Sequence, residues 1–136
     1  MQMTTKASEV PVPEESVEQI NLFRWVEFQM GKWPELRMMY AIPNGGKRYK
    51  ATAVRLKAEG VKAGVPDIAL PVPRGKYHGM YIEMKRLRGG RTSDAQEEWL
   101  KDLTAQGYHA VVCKGWVAAS EEITRYMQLP PWRAAE

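Results

Sequence analysis

"GVPDIALPVPRGKYHGMYIEMKR", residues 64–86, holds two β-like runs, "DIALPV" and "YHGMYIEM", joined by "PRGK". Pro and Gly in the joining piece supply turn dihedrals, so the simplest reading is an antiparallel hairpin. Centred on Gly75, that hairpin sets Asp67 across from Glu83. Side chains alternate along a strand, so Lys85 shares a face with Glu83 while Ile82 and Met84 face the other way. Two carboxylates and one ammonium converge. Like charges directly opposed are unfavourable in a purely structural sheet, and the arrangement asks for a cation between them. Register decides the matter: a bulge that shifts the pairing by one residue would send Asp67 to the other face.

Downstream, "RLRGGRTSDAQEEWLKDLTAQG" places Ser93 and Gln96 as a capping box. Gln96, Trp99, Leu100 and Leu103 then recur at helical spacing until Gly107 closes the helix. "YHAVVC" is predicted to be a short buried strand, parallel to "MYIEMK" through a right-handed crossover. This brings Gln96 close to the carboxyl end of the strand holding Glu83 and Lys85, the end at which open α/β sheets bind ligands. A last helix from Val117 to Met127 carries Ile123 and Met127 inward before "LPPW" breaks it.

Upstream, Val17, Ile20, Phe23, Val26 and Met30 predict a helix over 16–30, stopped by Gly31 and Trp33-Pro34. "LRMMYAI" alternates like a strand, "PNGG" ends it, and the segment from Tyr49 to Glu59 reads as a second helix with Gly60 as its stop. The polar, Pro-punctuated residues 1–13 read as a flexible lead-in to a single domain over 14–136. The expected class is α/β, a mixed sheet with an antiparallel hairpin flanked by helices, in the order α-β-α-β-β-α-β-α.

The bulk properties limit function. A chain of 136 residues buries one core. Lys and Arg number 20 against 16 acids, a net charge of +4 that favours a polyanionic partner. Cys113 is the only cysteine, which excludes a disulfide framework or a CxxC zinc site and suits a reducing cytoplasm; His78 and His109 cannot alone cage a metal. No apolar run approaches the roughly 20 residues of a membrane span, and the opening residues lack the basic-then-apolar order of a signal peptide. "NGGKR" lacks the first Gly and the final Ser or Thr of a phosphate loop, so no nucleotide cofactor is expected. Trp25, Trp33, Trp99 and Trp116 read as core rather than base-stacking platforms.

Taken singly, each candidate has an ordinary explanation. Glu-x-Lys is common on the solvated face of an antiparallel sheet, Asp67 can be a strand-entry residue, Gln96 a capping residue, and Glu18 a helix-surface charge. In this order, however, Asp, then Glu-x-Lys on the next strand, then Gln at the following helix start, resembles the PD-(D/E)XK nuclease superfamily. Within it, "AIPNGGKR", "LKAEGVKAGVPDIALPVPRG", "YIEMKR", "GGRTSDAQEEWL" and "GYHAVVCKGW" resemble the small stand-alone form of the virus-type replication-repair nuclease (VRR-NUC) family, from about Glu15 to Met127.

The resemblance implies a restriction-endonuclease-like core and a metal-dependent DNA endonuclease of phage or bacterial replication and repair, acting as a homodimer on branched DNA such as Holliday junctions. It implies a metal-binding acid in the first helix, matched by Glu18 with Glu15 as rival, and a place near the site for Asn44. Asp67 and Glu83 are hard oxygen ligands suited to Mg²⁺ or Mn²⁺, with the Met84 carbonyl and waters completing the shell. Lys85 would orient or help deprotonate the attacking water, with Gln96 beside it. Lys47, Arg48, Lys50, Arg86, Arg88 and Arg91 would hold the DNA backbone. A flap or single-nick endonuclease acting as a monomer, and a non-catalytic DNA-binding module on the same fold, are the alternatives.

Overall fold

The computed structural model describes residues 11–43 and 50–133. Its elements run α1 (Glu15–Gln29), a 3-10 turn (Pro34–Met38), β1 (Tyr40–Ala41), α2 (Lys50–Ala58), β2 (Ile68–Leu70), β3 (Met80–Lys85), α3 (Asp94–Ala105), β4 (His109–Lys114) and α4 (Trp116–Met127). The expected order holds, with the 3-10 turn added. The strands form one sheet in the order β1-β2-β3-β4, antiparallel except for the β3–β4 pair, which is parallel across the α3 crossover.

Alternation along β3 divides the molecule in two. Met80, Ile82 and Met84 are buried against the core, where Leu22 and Val26 of α1 and Ala119, Ile123, Tyr126 and Met127 of α4 also lie. Each such fully buried aliphatic side chain contributes about 1.5–3 kcal/mol of transfer free energy. Tyr81, Glu83 and Lys85 point to the opposite face, which α3 covers with half-buried residues only; none of its side chains is fully buried.

Three local expectations need correction. In α1 the buried row is Glu18, Leu22 and Val26, whereas Val17 and Ile20 are exposed. Apolar residues surround this helix, so their spacing did not single out a face. The alternation in "LRMMYAI" is not a strand beyond Tyr40–Ala41: Pro34 opens a 3-10 turn, and Leu36 and Met39 bury together at the three-residue period of that turn, leaving Met38 exposed. Strand β4 is not buried throughout. It is the edge of the sheet, and Val112 and Lys114 are exposed on the α3 side while Cys113 faces the core.

The hairpin is held at its far end by the residues after α4. The Tyr126 hydroxyl donates to the Val72 carbonyl at 2.6 Å. The Gly75 amide donates to the Pro130 carbonyl at 2.7 Å, and Arg74 bridges to Pro131. Among the described residues no helix is long and apolar enough to cross a membrane.

Candidate active site

The hairpin register is the expected one: Ile68 pairs with Ile82, Ala69 with Tyr81 and Leu70 with Met80. One step further sets Asp67 opposite Glu83. The Ile42 amide donates to the Asp67 carbonyl at 2.7 Å, so the Asp67 backbone serves β1 and not β3. The Asp67–Glu83 pair is therefore of the non-hydrogen-bonded kind, in which opposed side chains lie closest. One step further again, Pro66 stands opposite Met84 and has no N–H to offer the Met84 carbonyl. The Met84 amide donates instead to Asp67 Oδ2 at 2.7 Å, which fixes the carboxylate at the ladder's end.

Glu83 is 1% exposed and Lys85 5% exposed, so both charges have left water. Lys85 Nζ lies 3.5 Å from Glu83 Oε1 and donates to Gln96 Oε1 at 3.0 Å. Gln96 Nε2 donates to Glu83 Oε1 at 2.8 Å. The other carboxylate oxygen, Glu83 Oε2, is buried with no hydrogen-bond partner among the described residues. Burial raises the pKa of both carboxyls. For Glu83, burial and then the charge of Asp67 push it up to about 8, against the opposing pull of Lys85. For Asp67, burial outweighs the lowering effect of the Met84 amide.

Gln96 serves helix and site at once. Its Oε1 accepts from the Ser93 amide at 2.8 Å while the Gln96 amide donates to Ser93 Oγ at 3.2 Å, the reciprocal bonds of a capping box. The capping and active-site roles, separate on sequence grounds, fall on one amide group. Replacing Gln96 by Glu keeps the cap but deletes the donor to Glu83 and adds a third carboxylate beside a pair already short of charge compensation. We expect Gln96→Glu to lose activity by roughly tenfold or more, with a smaller loss of thermal stability. Steady-state turnover and a melting curve of the same preparation check this, and unchanged turnover would return Gln96 to a capping role alone.

Glu18 occupies a different place. It is 4% exposed, and its Oε2 accepts from the Trp116 amide at 2.9 Å. It thereby satisfies a free N–H of the first turn of α4, whose N-cap, Gly115, has no side chain to do so. Gly115 in turn donates to the Lys85 carbonyl at 2.9 Å, which ties this cap to the end of β3. Among the described residues no three of His, Cys, Asp and Glu form a metal-binding cluster. Glu15 is half-buried in the first turn of α1.

The candidate DNA contacts are less concentrated. Arg86, Arg88 and Arg91 are exposed on the segment between β3 and α3, and Arg86 Nη2 donates to the Val12 carbonyl at 3.1 Å. Lys50 opens α2, and Asn44, Lys47 and Arg48 lie outside the described residues. Two residues of the site were missed in the sequence. Gly64, with φ +85°, lies against the backbone of Ala95 at the start of α3; Lys114 lies in register with Lys85. The Cys113 thiol is buried, which pushes its pKa up to about 12 and excludes it as a nucleophile at neutral pH.

Comparison with known proteins shows the family. A solved structure, "VRR_NUC domain protein", is 30% identical, with a TM-score of 0.80, over 91% of this chain and 96% of its own. No curated protein matches. The family model of the VRR-NUC domain matches residues 14–116, a span that takes in the opposed carboxylates, the lysine and the glutamine, and the chain therefore belongs to the VRR-NUC domain family, a nuclease-type domain that acts on DNA.

Proposed function

We propose that the protein is a divalent-metal-dependent endonuclease that hydrolyses phosphodiester bonds of branched DNA such as four-way junctions. The observation that supports it best is Glu83 Oε2 beside Asp67: a buried carboxylate oxygen that accepts from no N–H or hydroxyl among the described residues and meets only a second carboxyl group fits a hard cation. Asp67, Glu83 and the Met84 carbonyl, which Pro66 cannot engage, would hold Mg²⁺ or Mn²⁺. When bound, such an ion supplies neutralisation of charge on the phosphate under attack.

The rest falls to side chains of this chain. Gln96 fixes Lys85 Nζ at 3.0 Å, on the face that Glu83 shares, where the ammonium orients the attacking water. The capping box locks Gln96, so the ammonium is placed by the start of α3 and not by its own flexible stem. The Asp67 carboxylate is held by the Met84 amide and needs no reorganisation during the reaction. Water attack breaks one P–O bond of the diester and leaves a phosphate monoester and an alcohol.

A single site makes one cut, whereas symmetric resolution of a four-way junction needs two cuts in opposite strands, which a two-fold homodimer supplies. The reducing cytoplasm of a bacterium or of a phage-infected cell suits the unpaired Cys113. The test is a cleavage panel with Mg²⁺ and with Mn²⁺ on four-way, flap, nicked and linear DNAs, with every strand mapped and the assembly measured by ultracentrifugation at micromolar concentration. Paired cuts by a dimer are expected. Cleavage in excess chelator would overturn the metal assignment, and a monomer that cuts flaps would replace junction resolution with single-nick cleavage.

A further inference from the structure

A cavity of about 450 Å³ opens at Lys85, on the β4 side of the site, lined also by Gly90, Arg91, Thr92, Glu97, Val112 and Lys114. The parallel register of β3 and β4 sets Lys114 directly beside Lys85. Paired residues of adjacent strands project to the same face, so two ammonium-bearing chains stand side by side on strands about 4.8 Å apart. A sheet has no structural use for that pairing, since like charges so placed repel. Arg91 adds a third cation. The one acid in the lining, Glu97, accepts from the Thr92 hydroxyl at 2.9 Å, and neither Arg91 nor Lys114 forms an ion pair among the described residues.

The geometry points to a second phosphate subsite: Lys114 and Arg91 bind an internal phosphodiester of the cut strand, next to the one presented to Lys85. This rests on the reading of the protein as a DNA-cleaving enzyme. Lys85 is withdrawn into the site by Gln96 and Glu83, whereas Lys114 is exposed at the cavity's mouth, so the two lysines divide the work. Lys85 serves the reacting phosphate and Lys114 fixes the strand's register upon it. Lys114 is thus a positioning residue that decides which bond along the backbone is presented.

Binding of DNA duplexes carrying one neutral methylphosphonate, walked along the strand, tests this in excess chelator by fluorescence anisotropy. The wild-type protein should lose roughly five- to tenfold in affinity at one position. Lys114→Ala should lose a similar factor on unmodified DNA, show no further loss at that position, and bind with a salt dependence shallower by about one ion. Lys114→Arg should restore both. Equal affinity of Lys114→Ala and wild type, or undiminished sensitivity of Lys114→Ala at that position, would overturn the subsite. Preference for a duplex end bearing a terminal phosphate over an internal diester would overturn the stated ligand. Because these measurements need no cleavage, a protein that binds in this pattern yet never cuts DNA would refute the proposed enzyme and not the subsite.

Discussion

Glu83→Gln should abolish cleavage and at the same time make the metal-free protein more stable at alkaline pH. Both effects come from one carboxylate. The substitution keeps the shape of the side chain but removes the ionisable oxygen that has no N–H or hydroxyl partner in the site. Loss of turnover should reach about a thousandfold or more if a metal ligand is lost. The stability effect follows from burial and the neighbouring Asp67, which push the Glu83 pKa up to about 8 from an ordinary 4.5. Between those values the native state holds a proton that the unfolded chain has released, so this group's contribution to stability falls as pH rises through the window. Gln has no proton to lose. The melting temperature of Glu83→Gln relative to wild type, in chelator, should therefore be near zero difference at pH 4.5 and climb to a plateau above pH 8, roughly 5 °C or more in favour of the variant. A flat difference across that range, or full turnover by the variant, would sink the assignment. Asp67→Asn should share the loss of turnover.

The second large effect is expected at a residue that touches no reacting atom. Gly64 has φ +85°, and a Cβ there would meet the carbonyl carbon, Cβ and carbonyl oxygen of Ala95 at 2.7, 2.8 and 2.8 Å. Two of those atoms are backbone, so no side chain can swing away. Gly64→Ala thus strains its own dihedrals by about 1–2 kcal/mol and also pushes the first turn of α3 off the sheet. Gln96 sits in that turn and holds both Glu83 and Lys85. A displacement of this kind of about 1 Å typically costs on the order of a hundredfold in rate, and we expect at least that for Gly64→Ala, with a clear fall in melting temperature. Gly31→Ala is the matched control, since a Cβ at Gly31 meets no atom within 4 Å. Equal activity of the two variants would show that α3 does not need the Gly64 contact.

The hairpin and its charges were legible in the sequence because local rules fix them. A Pro and Gly turn between two alternating runs sets the register, and the register sets which of Asp67, Glu83 and Lys85 share a face. The α3 cap was legible for the same reason, since Ser93 and Gln96 stand three residues apart. Other features depended on contacts between distant segments. The buried row of α1 runs through Glu18, because α4 needs a carboxylate at its first turn, and nothing within α1 announces that demand. Lys114 escaped notice because strands joined through a helix have no turn to fix their register. Gly64 stood in the run that carries the family resemblance, but only the approach of Ala95 gives it a physical role.

The clamp on the hairpin tip bears on how the protein is made. Val72, Gly75 and Arg74 are held by Tyr126, Pro130 and Pro131 respectively, which all leave the ribosome well after the hairpin itself. Strands β2 and β3 can pair early, but they gain the core behind them and the tie at their tip only when α4 and the residues beyond it have been synthesised. A nascent chain therefore carries Asp67 and Glu83 for some time without the framework that presses them together. The opposed carboxylates are therefore pressed together only with the finished fold, once the residues that tie the hairpin tip have been made.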